Sequence, residues 1–301
     1  MWLSLCVASA IFLGVYDVAK KWSVRENAPL LVLFFAVLAG ACITFPVFLL
    51  SRWMPDRAAA FHLHCRMLDA GEHLLVAAKA LLVSVSWISA FFALKHLPIS
   101  IVTPIRASAP LWTLIGAVAL FGERPSWIQW TGITIIVASY LVFSLIGRLE
   151  GIVFTRNRWV LLVFIATLSG AASALYDKHL LSGTGIDPVS LQVWFSFYLV
   201  GVIGLAAAVV RRRRPSDRSP FQWRRSIIAV GVLLIVADFL YFRALSEKDA
   251  MIAVISVIRR SSVVISFVAG GLLFHEKNKR KKALPLAGVL VGVLLLMVNP
   301  H

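Results

Sequence analysis

The stretch Pro104–Arg124, PIRASAPLWTLIGAVALFGER, recurs at Val257–Lys277 as VIRRSSVVISFVAGGLLFHEK without a gap. The matched pairs include Arg106 with Arg259 and Glu123 with Glu276. Two charged residues are thus held 17 positions apart across an apolar run, which chance similarity between hydrophobic helices would not preserve. Tyr-Asp also recurs, at 16–17 and 176–177. Repeats decide an architecture, so we predict two related halves, residues 1–148 and 149–301.

Composition places both halves in a membrane. Of the 301 residues, 60% are hydrophobic and 15% are charged, whereas soluble domains carry about a quarter charged residues. Apolar runs near the roughly 20 residues that cross a bilayer explain the excess. The spans that we predict are 2–19, 30–51, 73–94, 98–121, 126–146, 159–181, 188–210, 226–245, 250–273 and 283–299. The expected fold is therefore an all-α integral membrane protein with ten transmembrane helices, five per half.

An odd number of helices turns the second half upside down relative to the first. Inverted repeats are a recurring device in secondary transporters, in which a site between the two halves opens to either side in turn. The repeat therefore predicts a transporter that works by alternating access around a central cavity.

The net charge of +16 is distributed in short clusters between apolar runs, which is how membrane proteins fix their orientation. This placement argues against nucleic acid as a partner. If the N-terminus is outside, the cytoplasmic loops hold 19 basic residues and the outer loops hold 5, so we predict both termini outside. The 19 are Lys20, Lys21, Arg25, Lys95, Arg148, Arg156, Arg158, Arg211, Arg212, Arg213, Arg214, Arg218, Arg224, Arg225, Lys277, Lys279, Arg280, Lys281 and Lys282.

The 52–72 segment differs from the spans. Ala58, Phe61, Cys65 and Leu68 share a helical spacing, which predicts a short helix along the membrane surface. His62, His64 and Cys65 lack a second ligand cluster, so we predict no metal site. The three cysteines give no disulfide framework.

The residues around the first repeat stretch resemble the EamA-type domain of the drug/metabolite transporter superfamily. They are Ala93-Leu-Lys-His-Leu-Pro98, Gly122-Glu123-Arg124 and Trp127-Ile-Gln-Trp-Thr-Gly132. A diverged copy runs from Ala244-Leu245 to Phe274-His275-Glu276. The resemblance covers nearly the whole chain and implies a ten-helix fold of two inverted five-helix repeats. It implies no single substrate, because members move amino acids, sugars, nucleotide sugars, phosphorylated metabolites and drugs.

Five ionisable residues lie deep in the predicted spans: Lys79, Arg106, Asp238, Arg259 and Arg260. Such residues cost about 2.5–3.5 kcal/mol each at the bilayer centre and usually face a cavity or a partner. One reading is that Asp238 pairs with one arginine; the other is that Lys79 and the arginines bind solute. Arginine offers forked donors for phosphate or carboxylate. The resemblance adds that phosphate- and nucleotide-sugar-translocating branches place basic residues at positions matching Arg106, Arg259 and Arg260.

Tyr16, Asp17 and Lys20 close the first predicted span, and Tyr176, Asp177 and Lys178 close the sixth. Together with Asp238 they are candidates for gating or for coupling to protons. Interfacial anchoring by an aromatic side chain and a nearby lysine is the alternative for the two Tyr-Asp pairs.

These observations favour a secondary-active carrier for a small organic solute, anionic or phosphorylated. The alternatives are export of neutral or zwitterionic, amino-acid-like metabolites and flipping of an anionic lipid. HExxH, GxSxG and P-loop motifs are absent from the sequence, so we expect neither an enzyme nor a cofactor. We expect a multi-pass protein of a bacterial inner membrane whose partners are the solute and the bilayer, present as a monomer or a homodimer.

Overall fold

In a computed structural model, the described residues are 2–109, 111–112, 126–149, 153–213, 220–247, 255, 258–259, 262–274 and 279–298. Every regular element among them is helical. The helices are α1 (Trp2–Val24), α2 (Pro29–Trp53), α3 (Pro55–Ala60), α4 (Ala70–His96), α5 (Ile99–Ala107), α6 (Trp127–Leu149), α7 (Arg158–Lys178), α8 (Pro188–Arg213), α9 (Arg225–Leu245), α10 (Ser262–Leu273) and α11 (Lys279–Met297). A 3-10 turn at Phe154–Arg156 precedes α7, and a π-helical turn at His179–Gly183 follows it.

Local sequence sets several of the helix starts. At α4, the Asp69 side chain accepts from the Glu72 N–H while the Glu72 side chain accepts from the Asp69 N–H, which forms a capping box. At α7, the Asn157 side chain accepts from the Trp159 and Val160 N–H groups. Proline occupies the first turn of α2, where its missing N–H costs nothing. At α4 and α7, backbone donors of the first turn thus find side-chain partners.

Six of the described helices are long and apolar enough to cross a membrane. Their candidate spans are 2–24, 29–53, 70–96, 158–181, 188–212 and 225–245. Shorter apolar helices occur at 130–139 and 262–273. The chain is thus an all-helical, multi-pass membrane protein.

The helices pair across the two halves in a two-fold pattern. In the first half, α1 packs chiefly against α9 and also against α10. In the second half, α7 packs chiefly against α4 and also against α5. The first helix of each half thus packs against the corresponding helices of the other half. The core of the bundle therefore lies between the two halves.

Two helix crossings depend on small residues. A Cβ on Gly231 in α9 would lie 2.3 Å from the Ala36 carbonyl oxygen of α2. At the crossing of α6 and α11, a Cβ on Gly292 would lie 2.8 Å from the Gly132 carbonyl oxygen. Small residues let membrane helices approach to backbone contact, and van der Waals packing then stabilises the pair.

Two local predictions were wrong. The surface helix expected over 52–72 is only α3, because the chain leaves the helix after Ala60 and His62 adopts a φ of 54°. Hydrogen bonds to Ser51 hold the following part of the segment in a non-helical conformation. The Ser51 hydroxyl accepts from the Cys65 N–H and donates to the Leu63 carbonyl. Phe61 is exposed and does not join Ala58 in the core.

The second error concerns the last helix, which begins at Lys279 and not at 283. Its first turn contains the basic residues that the sequence assigned to a loop. Lys282 is fully buried, and its ammonium donates to the Ser100 hydroxyl at 2.9 Å. The start of α5 thus supplies polar contacts for a lysine that by sequence alone belongs in water.

Candidate functional site

A central cavity of about 140 Å³ lies between the two halves. Side chains from α1, α4 and α5 face it from the first half, and side chains from α7, α8, α9 and α10 face it from the second. Its ionisable lining residues are Asp17, Lys79, Arg106, Asp177, Asp238 and Arg259, together with Tyr16 and Tyr241. Residues far apart in sequence therefore meet here as three acidic and three basic groups.

Arg259 and Asp238 form one direct ion pair. The Arg259 Nη2 donates to Asp238 Oδ1 at 2.9 Å, and the guanidinium carbon lies 4.0 Å from the centre of the Tyr241 ring. Tyr241 lies one turn after Asp238 on α9, so one helix face supplies both contacts. The two charged side chains are 16% and 13% exposed, which places the pair at the wall of the cavity.

Lys79 and Asp177 form a second pair, more deeply buried at 2% and 7% exposure. Lys79 comes from α4 and Asp177 from the last turn of α7, so the pair joins the two halves. The Lys79 ammonium also lies 4.4 Å from the centre of the Phe195 ring and 5.0 Å from that of Phe242. Removing either partner would leave a buried charge without compensation.

The Asp17 carboxylate lies near two basic side chains, Lys20 and Arg106. Lys20, one turn later on α1, donates to Asp17 Oδ1 at 2.5 Å and lies over the Tyr16 ring at 4.3 Å. The Arg106 Nη1 approaches the same oxygen only to 4.0 Å. Lys20 is almost fully buried, so it does not extend to the membrane surface as an interfacial anchor would. Asp17 is therefore compensated by Lys20 even without Arg106.

With Lys20 included, the described ionisable groups of the site are four bases and three acids, a formal charge of +1. The five residues that the sequence placed deep in the spans carry +3; the count here adds Asp17, Asp177 and Lys20 and leaves out Arg260, which lies outside the described residues. The buried Nε atoms of Arg106 and Arg259 have no hydrogen-bond partner. Both arginines therefore keep one guanidinium donor that no other described side chain uses.

The other predicted site residues fall in different places. The Tyr176 hydroxyl donates to the Leu75 carbonyl at 3.1 Å, which ties α7 to α4 away from the cavity. Arg260, Glu123 and Glu276 lie outside the described residues. Sequence reasoning missed Tyr241; its spacing of three residues from Asp238 was the available signal.

Polar contacts join the two halves at both ends of the bundle. At one end, the Asn27 amide donates to the Gln222 carbonyl and accepts from the Gln222 N–H, and the Ser23 hydroxyl bonds that of Ser226. At the other end, Arg66 forms two hydrogen bonds to Glu72, at 2.8 and 2.5 Å, and lies 3.6 Å from Asp187. The Glu72 hydrogen bonds raise the pKa of Arg66 above its already high value, so its guanidinium stays charged.

The neighbouring Cys65 is buried, and burial raises the pKa of its thiol to about 11. Its Sγ lies 3.8 Å from the Arg66 carbonyl oxygen. No cluster of three or more His, Cys, Asp or Glu side chains that could hold a metal ion occurs within the described part of the chain.

Comparison with known proteins gives a family and a fold. The model of the EamA-like transporter family matches residues 1–145 and again residues 157–298. A solved crystal structure of a protein superposes with a TM-score of 0.64, at 13% identity, over 98% of this chain and 96% of its own. No curated protein matches the chain.

Proposed function

Because the chain belongs to the EamA-like transporter family, we propose that it is a secondary-active carrier for a small organic solute with one acidic group. The observation that supports the anionic solute is the pairing at the cavity wall: Lys20 already bonds Asp17, which leaves Arg106 4.0 Å from that carboxylate with an unpartnered Nε. In this proposal the chain has no catalytic activity, and the solute is moved unchanged.

Arg106 is the residue best suited to meet the acidic group. Asp17 is already bonded to Lys20, and Arg106 stands 4.0 Å from that carboxylate. Its forked donors fit a carboxylate or a phosphate, and charge-assisted hydrogen bonds are the strong ones. With Lys20 counted, the described groups of the site carry one surplus charge, which favours a monoanion such as a carboxylate over a fully ionised phosphate with close to two negative charges.

The cavity volume of about 140 Å³ also favours a small solute. Drug-sized ligands occupy pockets of about 300–1,000 Å³. A flipped lipid would need more room than this cavity offers. The alternative of lipid flipping therefore has less support than transport of a small metabolite.

Alternating access is the mechanism that we propose. The two halves contact each other with a two-fold pattern, and polar contacts join them at both ends of the bundle around the cavity. A ten-helix, inverted arrangement with a division near 148/149 would let these end contacts open in turn. We further propose a bacterial inner membrane as the location, with both termini outside and with a monomer or homodimer as the unit.

A zwitterionic, amino-acid-like solute is the second candidate. The same cavity holds Asp17, Asp177 and Asp238, any of which could receive an ammonium group while Arg106 receives the carboxylate. This arrangement would use both signs of charge in the site. The two candidates differ in whether the solute needs its ammonium group.

A charge-matched set of solutes tests both. We propose to measure the stabilisation of the purified protein by a small carboxylic acid, its amide, its phosphate analogue and the corresponding amino acid, since a ligand of the folded state raises its melting temperature. Binding of the acid but not the amide would support the anionic solute. Binding of the amino acid alone would assign the zwitterion, and equal binding of acid and amide would refute a role for charge.

Arg106→Gln then tests the residue. A charge-assisted hydrogen bond contributes about 1.5–3 kcal/mol, so affinity for the acid should fall about ten- to hundredfold. Thermal stability should hold, because Lys20 still compensates Asp17. The matched control is Arg25→Gln, an arginine that is 59% exposed at a loop, which should bind the acid as the unmodified chain does.

A further inference from the structure

A second, smaller compartment adjoins the cavity between α2, α8 and α9. Its volume is about 10 Å³, which is the space of about one water molecule. Trp87, Phe195, Leu234 and Asp238 line both spaces. Among the described residues, Asp238 is thus the one ionisable side chain that lines both the cavity and the smaller compartment.

The compartment contains a buried acceptor without a partner. Gln192 is 3% exposed, and its Nε2 lies 3.4 Å from the Ser196 hydroxyl oxygen, but its Oε1 has no hydrogen-bond partner. A buried polar atom left unpaired costs about 1–3 kcal/mol, so such an atom in a folded protein needs an explanation. The Ser196 hydroxyl does not provide it, since it donates to the Gln192 backbone carbonyl.

We propose that this compartment binds a sodium ion, with Gln192 Oε1 and the Asp238 carboxylate among its ligands. Hard cations take carboxylate, amide-carbonyl and water oxygens, and the compartment offers the first two. Its apolar remainder, with Gly40 and Gly231 at the close crossing of α2 and α9, excludes anything larger than one water. The inference rests on the proposed function, because it assigns the coupling ion of the same carrier.

The shared carboxylate gives the ion a role. Without sodium, Asp238 holds the Arg259 guanidinium at 2.9 Å. A sodium ion on the carboxylate weakens that hold and leaves Arg259 available to the acidic group of the solute. The solute, by taking Arg259, likewise strengthens the binding of sodium, because coupling between two ligands is reciprocal.

The formal charge of the described site is consistent with sodium and an anionic solute binding together. A sodium ion raises the formal charge of the described site from +1 to +2, and a monoanion returns it to +1. Each ligand therefore offsets the charge of the other. Sodium and solute would then cross the membrane together, as in a symporter.

The test uses the full chain, purified in detergent, with sodium itself as the probe and no solute. Melting temperatures are measured in sodium, potassium and choline chloride at equal ionic strength. A site on the folded state predicts an upward shift that is specific to sodium and grows with the logarithm of its concentration. Gln192→Met keeps the side-chain length, removes the acceptor oxygen and should abolish that shift. The control Gln222→Met makes the same change in the loop before α9 and should retain it.

Three outcomes would overturn the site: no shift specific to sodium, a sodium shift that persists in Gln192→Met, and, in place of a sodium shift, a response to pH that is the same in sodium and in choline. The last would assign the role to a proton. The charged and titratable side chains that surround Asp238 in and beside the cavity are Tyr16, Asp17, Lys20, Lys79, Arg106, Asp177, Tyr241 and Arg259. Because no solute is present, any of these results leaves the proposed function to be decided by Arg106→Gln and the solute set.

Discussion

Arg259→Gln should destabilise the protein, in contrast to Arg106→Gln. The change removes the only ion-pair partner that the described residues give Asp238 and also the contact of the guanidinium with the Tyr241 ring. Breaking a fully buried pair costs about 3–5 kcal/mol, whereas exposed pairs contribute about 0–1 kcal/mol. At 16% and 13% exposure the pair lies nearer the buried limit, so we expect a loss of about 2–4 kcal/mol.

The free energy of unfolding, measured by denaturant titration in detergent micelles, checks this value. The double variant Arg259→Gln/Asp238→Asn should recover most of the loss, because two amides can bond each other without leaving a buried charge. Arg25→Gln is the matched control: its 3.6 Å contact with Glu26 is exposed, so its cost should be below about 1 kcal/mol. A loss as small as that of the control, or a double variant no more stable than Arg259→Gln, would refute the ion pair as a stabilising contact.

Three further results are expected. Gly231→Ala should be strongly destabilising, since its Cβ would meet the Ala36 carbonyl oxygen at 2.3 Å. The control Gly201→Ala, with open space around it, should be neutral or slightly stabilising. Equal melting temperatures of the two variants would contradict the close crossing of α2 and α9. The thiol of Cys65, with a pKa of about 11, should react slowly with maleimide at pH 7–8 and faster as the pH rises toward 11, because only the thiolate reacts; fast labelling at pH 7 would contradict its burial. A cysteine placed in 211–225 should be protected from an impermeant reagent in intact cells, and its labelling there would reverse the predicted orientation.

The sequence was sufficient for the two-repeat family and for four of the charged residues that meet at the cavity. The repeat of Arg106 and Arg259 identified the first, and the family match to both halves agrees with it. Depth in an apolar run identified Lys79, Arg106, Asp238 and Arg259, and the structure places all four along one cavity. Apolar length and charge position are local properties, so they can be obtained from the chain alone.

The partners of those charges could not be predicted in the same way. Lys79 and Asp177 are 98 residues apart, and nothing in their spacing predicts that they pair. The sequence left open whether Asp238 pairs with an arginine, and the structure shows that it pairs with Arg259. Gln192 has no sequence signal at all, because an uncharged amide in an apolar helix stands out only when its neighbours are known.

Helix ends were the least predictable feature. Four basic residues at 279–282 predict a loop by composition, yet the first turn of α11 contains them. Buried contacts decided this case: Ser100 accepts from Lys282 on a neighbouring helix. Such tertiary contacts override a local preference that is worth only tenths of a kcal/mol per residue.

Because 98 residues of sequence separate Lys79 from Asp177, the ribosome makes the two partners at different times. Ribosomes add about 5–20 residues per second, so Lys79 enters the membrane about 5–20 s before its partner exists. During that interval the nascent first half carries a lone ammonium at a cost of a few kcal/mol, which favours water or an insertion chaperone beside α4. We expect a chain that stops after Leu149 to be degraded faster in pulse–chase labelling than the complete chain, and Lys79→Met to slow that degradation.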